Sequence, residues 1–237
     1  MVRKRVVLTL SGGMDSTTLL YQLLSQGHHV QALGIDYGQR HRKELGAAAG
    51  ICARVGVSFK SADLSAVTGF LAGSALTSPD VEVPSGEYDP ESMKVTVVPN
   101  RNMLMLAVAL AWAISSDCGT VAYAAHAGDH EVYPDCRPEF VRALARTAGL
   151  CHYEPIELTV PFLHLTKVDI VRLGTRLDVP FGLTWSCYRG EDLHCGRCGT
   201  CRERSGAFAR AGVADPTVYR SRPASAPAGV PGSIGAQ

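Results

Sequence analysis

The sequence predicts an α/β fold: a parallel sheet with helices on both faces, followed by a small C-terminal region held together by four cysteines. Three observations carry this. Short apolar runs alternate with helix-length segments along most of the chain, and strands that each lead into a helix build parallel sheets. A glycine-rich turn, Ser11-Gly12-Gly13, stands between the first apolar run and the first helical segment. Cys187, Cys195, Cys198 and Cys201 are bunched near the end. The 237 residues suffice for one domain with a sizeable core and a small appendage. The expected division is an α/β domain over residues 1–180, a cysteine region over 181–220 packed on it, and a disordered tail over 221–237.

Taken in order, residues 5–10 read as a buried strand rich in Val and Leu, and residues 15–24 as a helix. A second strand is expected over 30–35, a second helix with several alanines over 42–55, and a third strand over 58–64. The apolar stretch 102–116 is helix-length, with Asn100 placed to cap it, and 120–125 is a further buried strand. Pro138 and Glu139 open a helix over 138–148, because proline is tolerated at a first helical position and an acid favours the first turn. Residues 153–158 are expected as a strand. Thr166 caps a helix over 167–177 with Asp169 completing a capping box, and 198–211 is the last helix. Residues 65–95 break the rhythm with Gly69, Gly73, Pro79, Pro84, Gly86 and Pro90, and a loop of that length is expected to be functional or mobile.

Composition narrows the function. Hydrophobic residues are 46% and charged residues 19%, which excludes a disordered chain. The formal net charge of +1 argues against a protein that grips nucleic acid by its phosphates. No apolar run approaches the ~20 residues of a membrane span, and the apolar stretch after Met1-Val2-Arg3-Lys4-Arg5 is too short for a secretory signal. With the cysteines clustered and not spread as in a disulfide scaffold, a reducing cytoplasm is expected.

The turn Ser11-Gly12-Gly13-Met14-Asp15-Ser16 sits where the first amides of a helix lack partners and its dipole is positive. Glycines let backbone approach an anion, and Ser11 and Ser16 add hydroxyls, so the run suits a pyrophosphate. It has neither the Gly-Lys-Ser/Thr ending of a P-loop nor the Gly-x-Gly-x-x-Gly pattern. Cys187-x7-Cys195-x2-Cys198-x2-Cys201 matches a four-cysteine zinc site, with an iron–sulfur cluster and a redox Cys-x-x-Cys as the other readings. Four protein ligands close the shell, so such a metal is structural, one per chain. Polar clusters at residues 36–42, 98–103 and 126–140 each fall past a strand end or at a helix start, the edge of an open parallel sheet where ligands bind.

The run Ser11-Gly12-Gly13-Met14-Asp15-Ser16 resembles the PP-loop of ATP pyrophosphatases, a Rossmann-like fold. Together with Asp36-Tyr37-Gly38-Gln39-Arg40-His41, Val98-Pro99-Asn100-Arg101-Asn102, Tyr133-Pro134-Asp135-Cys136-Arg137-Pro138-Glu139-Phe140, Leu183-Thr184-Trp185-Ser186-Cys187-Tyr188 and the cysteine ending, it is similar to the QueC family from about residue 6 to 208. The resemblance implies an enzyme that converts 7-carboxy-7-deazaguanine, ammonia and ATP to the corresponding nitrile, through adenylated acid and amide, with release of AMP and pyrophosphate. It implies ATP held with Mg²⁺ along Leu10, Ser11, Gly12, Gly13, Met14, Asp15, Ser16, Thr17, Thr18, Leu19 and Leu20, with Asp15 a candidate ligand of Mg²⁺. Arg101 and Arg137 are candidates for the substrate carboxylate or for phosphate charge, through the guanidinium fork. Asp129, Glu131 or Asp135 is expected to accept from the guanine-like amino edge, and His126 or His130 to take a proton from ammonia. Zinc on Cys187, Cys195, Cys198 and Cys201, small-molecule partners without nucleic acid or membrane, and a homodimer complete the expectation. The rival readings are a PP-loop tRNA thiolase, for which Cys136 would be the sulfur carrier, and a non-catalytic ATP-binding regulator with a zinc module.

Overall fold

The computed structural model describes residues 2–223; the tail expected to be disordered lies outside the described residues from 224 onward. The core of the molecule is a five-stranded parallel sheet of β1 (Arg5–Thr9), β2 (His29–Asp36), β3 (Ser58–Asp63), β4 (Thr120–Ala122) and β5 (Glu157–Thr159), in the order β3-β2-β1-β4-β5. The chain runs outward from β1 to β3, then returns to add β4 and β5 on the other side. The direction of winding therefore reverses between β1 and β4, and a crevice opens at the carboxyl ends of those strands.

Strand residues alternate faces, and the core divides accordingly. Val6 and Leu8 of β1 pack with Leu19, Leu20 and Leu23 of α1 (Met14–Ser25), Ala48 and Ile51 of α2 (Lys43–Val55), and Ile170 of α6 (Lys167–Arg176). Val7, Leu33 and Ile35 face the other way, onto α4 (Arg101–Ser115) and α5 (Pro138–Ala148) through Leu106, Ala109, Val141 and Leu144. The last helix, α7 (Gly199–Ala211), lies on α6, and its Phe208 meets Phe181 edge-on at 5.0 Å in a cluster that includes Met14 of α1. The C-terminal region is thus seated on the helix that begins at the glycine turn. Among the described residues, no single helix is long and apolar enough to cross a membrane.

Four local expectations are modified. β4 ends at Ala122 instead of 125, because after one more ladder bond from Tyr123 the chain turns at His126, which caps a 3₁₀ turn. β5 begins at Glu157; residues 153–154 point into solvent, and Pro155, which cannot donate to a ladder, precedes the strand. Asn100 precedes α4 in the left-handed region (φ 53°) and its side chain does not cap the helix. That task falls to Asp135, whose Oδ2 accepts from the Asn102 amide at 2.8 Å. The long connection 65–95 is held against the core: it contains a 3₁₀ turn (Ser65–Phe70) and the one-turn helix α3 (Pro90–Met93), and it buries Ala75, Leu76, Val83 and Met93. Thr166 and Asp169 form the expected capping box on α6, each side chain accepting from the other's amide at 3.2 and 3.0 Å.

Candidate active site

A cavity of about 220 Å³ occupies the crevice, lined by the ends of β1 and β2, the segment after β4, and the starts of α1, α2, α4, α6 and α7. Its floor is the glycine turn. Gly12 has φ 85°, and a Cβ there would run into the Glu44 carbonyl of α2, so only glycine lets the turn pack so closely. The Gly12 carbonyl accepts from the Trp185 amide at 2.9 Å. Gly13 is the N-cap of α1 and no side chain caps the helix, so the amides of Met14, Asp15 and Ser16 remain available at the positive end of its dipole. Ser11 Oγ and Ser16 Oγ stand 3.1 Å apart beside them, and both residues line the cavity. Gly12→Ala is expected to cost roughly 1–3 kcal/mol in backbone strain alone, and the steric clash with α2 adds to it. Thermal unfolding should show a lowered Tm.

Next to the turn lies a half-buried ionic corner. Lys167, the first residue of α6, donates to Asp15 Oδ2 at 2.7 Å and stands 3.4 Å from Glu203 Oε2 of α7. Burial by itself raises the Asp15 carboxyl, yet the charge and hydrogen bond of Lys167, together with the charges of His126 and Arg204, outweigh it and hold Asp15 below the ordinary carboxylate range. Burial raises Glu203, with Lys167 only partly opposing, and the two carboxylates keep Lys167 firmly protonated against its own desolvation. Asp15 Oδ1 is buried and has no partner among the described residues. His126 is buried at the rim of this corner, with Nε2 4.0 Å from Asp15 and 3.6 Å from Asp129. Its Nδ1 accepts from the Gly128 amide at 3.0 Å, so the neutral ring carries its proton on Nε2.

Across the cavity is a second corner of different character. The Arg101 guanidinium lies over the rings of Tyr37 and Tyr133, at 5.9 and 5.5 Å, with Tyr188 close by, and no carboxylate pairs with it among the described residues. His41 and Glu44 share this corner. Burial pushes the His41 imidazole down to about 3 and the Glu44 carboxyl up to about 8. By contrast, Arg204 on α7 is fully engaged: it donates to Thr184 Oγ1 at 2.7 Å, Ser186 Oγ at 3.2 Å and the Phe181 carbonyl at 2.8 Å, and pairs with Asp215 at 3.3 Å. It thereby fixes the segment that carries Trp185 to the glycine turn.

The four cysteines Cys187, Cys195, Cys198 and Cys201 converge, all sulfurs within 4.8 Å of one another and all buried. Backbone amides point at sulfur, from Cys195 to Cys187 at 3.4 Å and from Arg197 and Cys198 to Cys195 at 3.3 Å each, as thiolates binding a cation require. Four soft donors at tetrahedral range fit one metal ion with a closed shell. Gly196 (φ 73°) allows the Ser221 carbonyl to pack against this knuckle, so the first residues of the tail are part of the fold. Cys198 is the N-cap residue of α7 and Cys201 lies in its first turn, so the helix that supplies Glu203 and Arg204 starts at the four-cysteine cluster.

Of the residues expected from sequence, Leu10, Ser11, Gly13, Met14, Asp15, Ser16, Arg101 and Asp129 line the cavity. Gly12 shapes the turn from behind, while Thr17, Thr18, Leu19 and Leu20 lie in the body of α1: Thr18 bonds the Met14 carbonyl at 2.7 Å, and Leu19 and Leu20 are core residues. Asp135 is the cap of α4 and is not at the cavity. Arg137 is exposed and donates to the His130 carbonyl at 2.9 Å, and Glu131 is exposed as well. His126 has its acceptor nitrogen committed to Gly128, so a role as base for ammonia does not fit it; its backbone amide donates to Asp129 Oδ2 at 3.2 Å and holds that carboxylate in place. Sequence reasoning missed Lys167, Glu203 and Arg204. The first stands directly after a capping threonine and the other two one helical step past Cys201, signals that read as ordinary helix surface until the fold brings them to one point.

The family model described as queuosine biosynthesis protein QueC matches residues 5–212. A 7-cyano-7-deazaguanine synthase of Methanoregula boonei is 51% identical over 215 residues, covering 91% of this chain and 99% of its own. The enzyme so named from Hahella chejuensis is 46% identical over 221 residues, covering 93% and 95%. Among solved structures, a 4-thiouridine synthetase–RNA complex with bound ATP aligns with 74% of this chain and 41% of its own at TM-score 0.50 and 14% identity, a likeness of fold.

Proposed function

This chain belongs to the QueC family of queuosine biosynthesis proteins, and on that premise we propose the following chemistry for its cavity. The enzyme makes 7-cyano-7-deazaguanine from 7-carboxy-7-deazaguanine, ammonia and ATP. A carboxylate does not expel oxide, so its oxygen first displaces pyrophosphate from the α-phosphorus of ATP. Ammonia then attacks the acyl carbon, AMP leaves and the amide forms. The amide oxygen attacks a second ATP in the same way, and loss of the nitrogen protons with departure of AMP leaves the nitrile.

The observation that carries this reading is the open N-terminus of α1 beside the ionic corner: three uncapped amides, two serine hydroxyls and Lys167 face one cavity floor. They hold phosphates and spread the charge that develops on the departing pyrophosphate. The buried, unpartnered Asp15 Oδ1, with Asp129 and Glu203 nearby, is a hard oxygen donor set that fits Mg²⁺. Mg²⁺ bound there with the nucleotide supplies positive charge to the phosphates. Arg101, with no carboxylate of its own, receives the substrate carboxylate, and Asp129, oriented by His126, faces the incoming ammonia. Zinc is the ion that the four-thiol donor set fits best, in a structural role.

The test is mass spectrometry of the product formed from 7-carboxy-7-deazaguanine, ATP and ammonium, with nucleotide products resolved alongside. The expected result is the cyano product with two AMP per turnover. ADP and phosphate in place of AMP and pyrophosphate, or AMP release that depends on tRNA, would overturn it.

A further inference from the structure

We propose that Glu44, together with His41, reads the N1–H and 2-amino edge of the deazaguanine and so sets the preference for a guanine-type base. The inference rests on the reading of the cavity given above and names a determinant within it. Glu44 lines the cavity wall with its side chain only 13% exposed, and no lysine or arginine pairs with it among the described residues. Only neutral donors reach its carboxyl: Gln39 Nε2 at 3.1 Å on Oε1, and His41 Nε2 at 3.4 Å from Oε2. Gln39 is itself fixed, donating to the Ile35 carbonyl at 3.1 Å and accepting from the Tyr37 amide at 2.9 Å, so the carboxyl is held in one orientation. His41 is also buried in the cavity wall, and its Nδ1 has no partner among the described residues. Each buried acceptor left without a donor is costly unless a ligand supplies one.

The ionised Glu44 carboxylate therefore has room for a further donor on each oxygen, and the buried His41 Nδ1 beside it has none. A guanine-type edge offers N–H groups side by side, from N1 and the 2-amino group, which two carboxylate oxygens accept together. Adenine offers one amino group next to a ring acceptor, so this corner suits the acid substrate and leaves the nucleotide to the glycine turn. Arg101, the unpaired cation of the same corner, fits the other end of that substrate, where the carboxylate lies. Tyr37, Tyr133 and Tyr188 supply ring surface for a planar base.

The groups that face Glu44 are Asp36 at the end of β2, Tyr37 and His41 in the following loop, and Arg101 of α4. With its carboxyl pushed up to about 8, Glu44 is mostly protonated at pH 7 in the free enzyme, and two ligand donors require the ionised form. Binding of the deazaguanine acid should then release close to one proton.

Glu44→Gln keeps the volume and one acceptor but turns an amide N–H₂ toward the ligand donors. It is expected to raise the KM for 7-carboxy-7-deazaguanine by roughly 10- to 100-fold, with the KM for ATP within about twofold. The analogue lacking the 2-amino group should be discriminated against by wild type and much less by the variant. A variant that raises the KM for ATP instead, or keeps the full 2-amino discrimination, overturns the proposal. Because the variant can fail to fold, calorimetry of the wild-type protein with the acid alone, in buffers of different ionisation enthalpy, gives a second readout: no proton release at pH 7 overturns it equally. If wild type binds the acid with proton release yet makes no nitrile, the failure lies with the proposed reaction and not with Glu44.

Discussion

Asp15→Asn is expected to lower nitrile formation by roughly 10²- to 10³-fold while leaving the protein folded. The substitution preserves shape and removes one negative charge at the point where the glycine turn, Lys167 and the buried free oxygen meet. Lys167 keeps Glu203 at 3.4 Å, so no buried ammonium is left without an anion, and Tm should move little. What disappears is the carboxylate that a hard cation on the phosphates needs, and with it the charge balance of both adenylation steps. The measurement is AMP and nitrile formation followed by chromatography. Loss should appear in kcat for the first adenylation as well as for the overall reaction, because both rounds use the same floor. Turnover near the wild-type rate would remove the glycine turn from the chemistry.

The second large effect is expected from stripping the metal. The four sulfurs lie within 4.8 Å of one another, and as thiolates without an ion they would repel strongly in a buried site. The region around them has little apolar core of its own: Ala75, Val83 and the cysteines themselves make up the buried cluster. A chelator, or Cys201→Ser, should lower Tm by roughly 10–20 °C if about 5 kcal/mol of metal-linked folding energy is lost. Activity should fall with it, because Cys201 is in the first turn of the helix that brings Glu203 to Lys167 and Arg204 to the 181–186 segment. Metal content by mass spectrometry, tracked against Tm and turnover, checks this. Full activity after complete removal would show that α7 holds its place without the ion. Tightly bound iron with a visible chromophore would refute zinc.

Much of the architecture was legible because the signals are local. The Val- and Leu-rich runs of β1 and β2, the capping box at Thr166 and Asp169, Pro138 at the start of α5 and the cysteine spacing each act over a few residues. The glycine turn was legible because strand, glycines and helix are contiguous. The errors come from long-range competition. Asn100 looks like the cap of α4, but a carboxylate from residue 135 takes the amide, and Asn100 is left in a left-handed conformation. That same contact withdraws Asp135 from the cavity. His126 looks like a free imidazole in a polar stretch, and only the turn at Gly128 shows that its acceptor nitrogen is committed. Lys167, Glu203 and Arg204 belong to helices that reach the cavity through their N-terminal turns, and no spacing in the sequence links residue 15 to residues 167 and 203.

One hydrogen bond behind the glycine turn carries a kinetic consequence. The Gly12 carbonyl is tied to the Trp185 amide at 2.9 Å, and the Trp185 indole nitrogen is tied in turn to the Cys187 carbonyl at 2.8 Å. The peptide plane between Gly12 and Gly13 is therefore latched from outside the loop and cannot invert to aim its oxygen at an approaching polyanion. Capture of nucleotide then needs no prior peptide flip, so its rate should follow diffusion and ionic strength and show no slow isomerising phase.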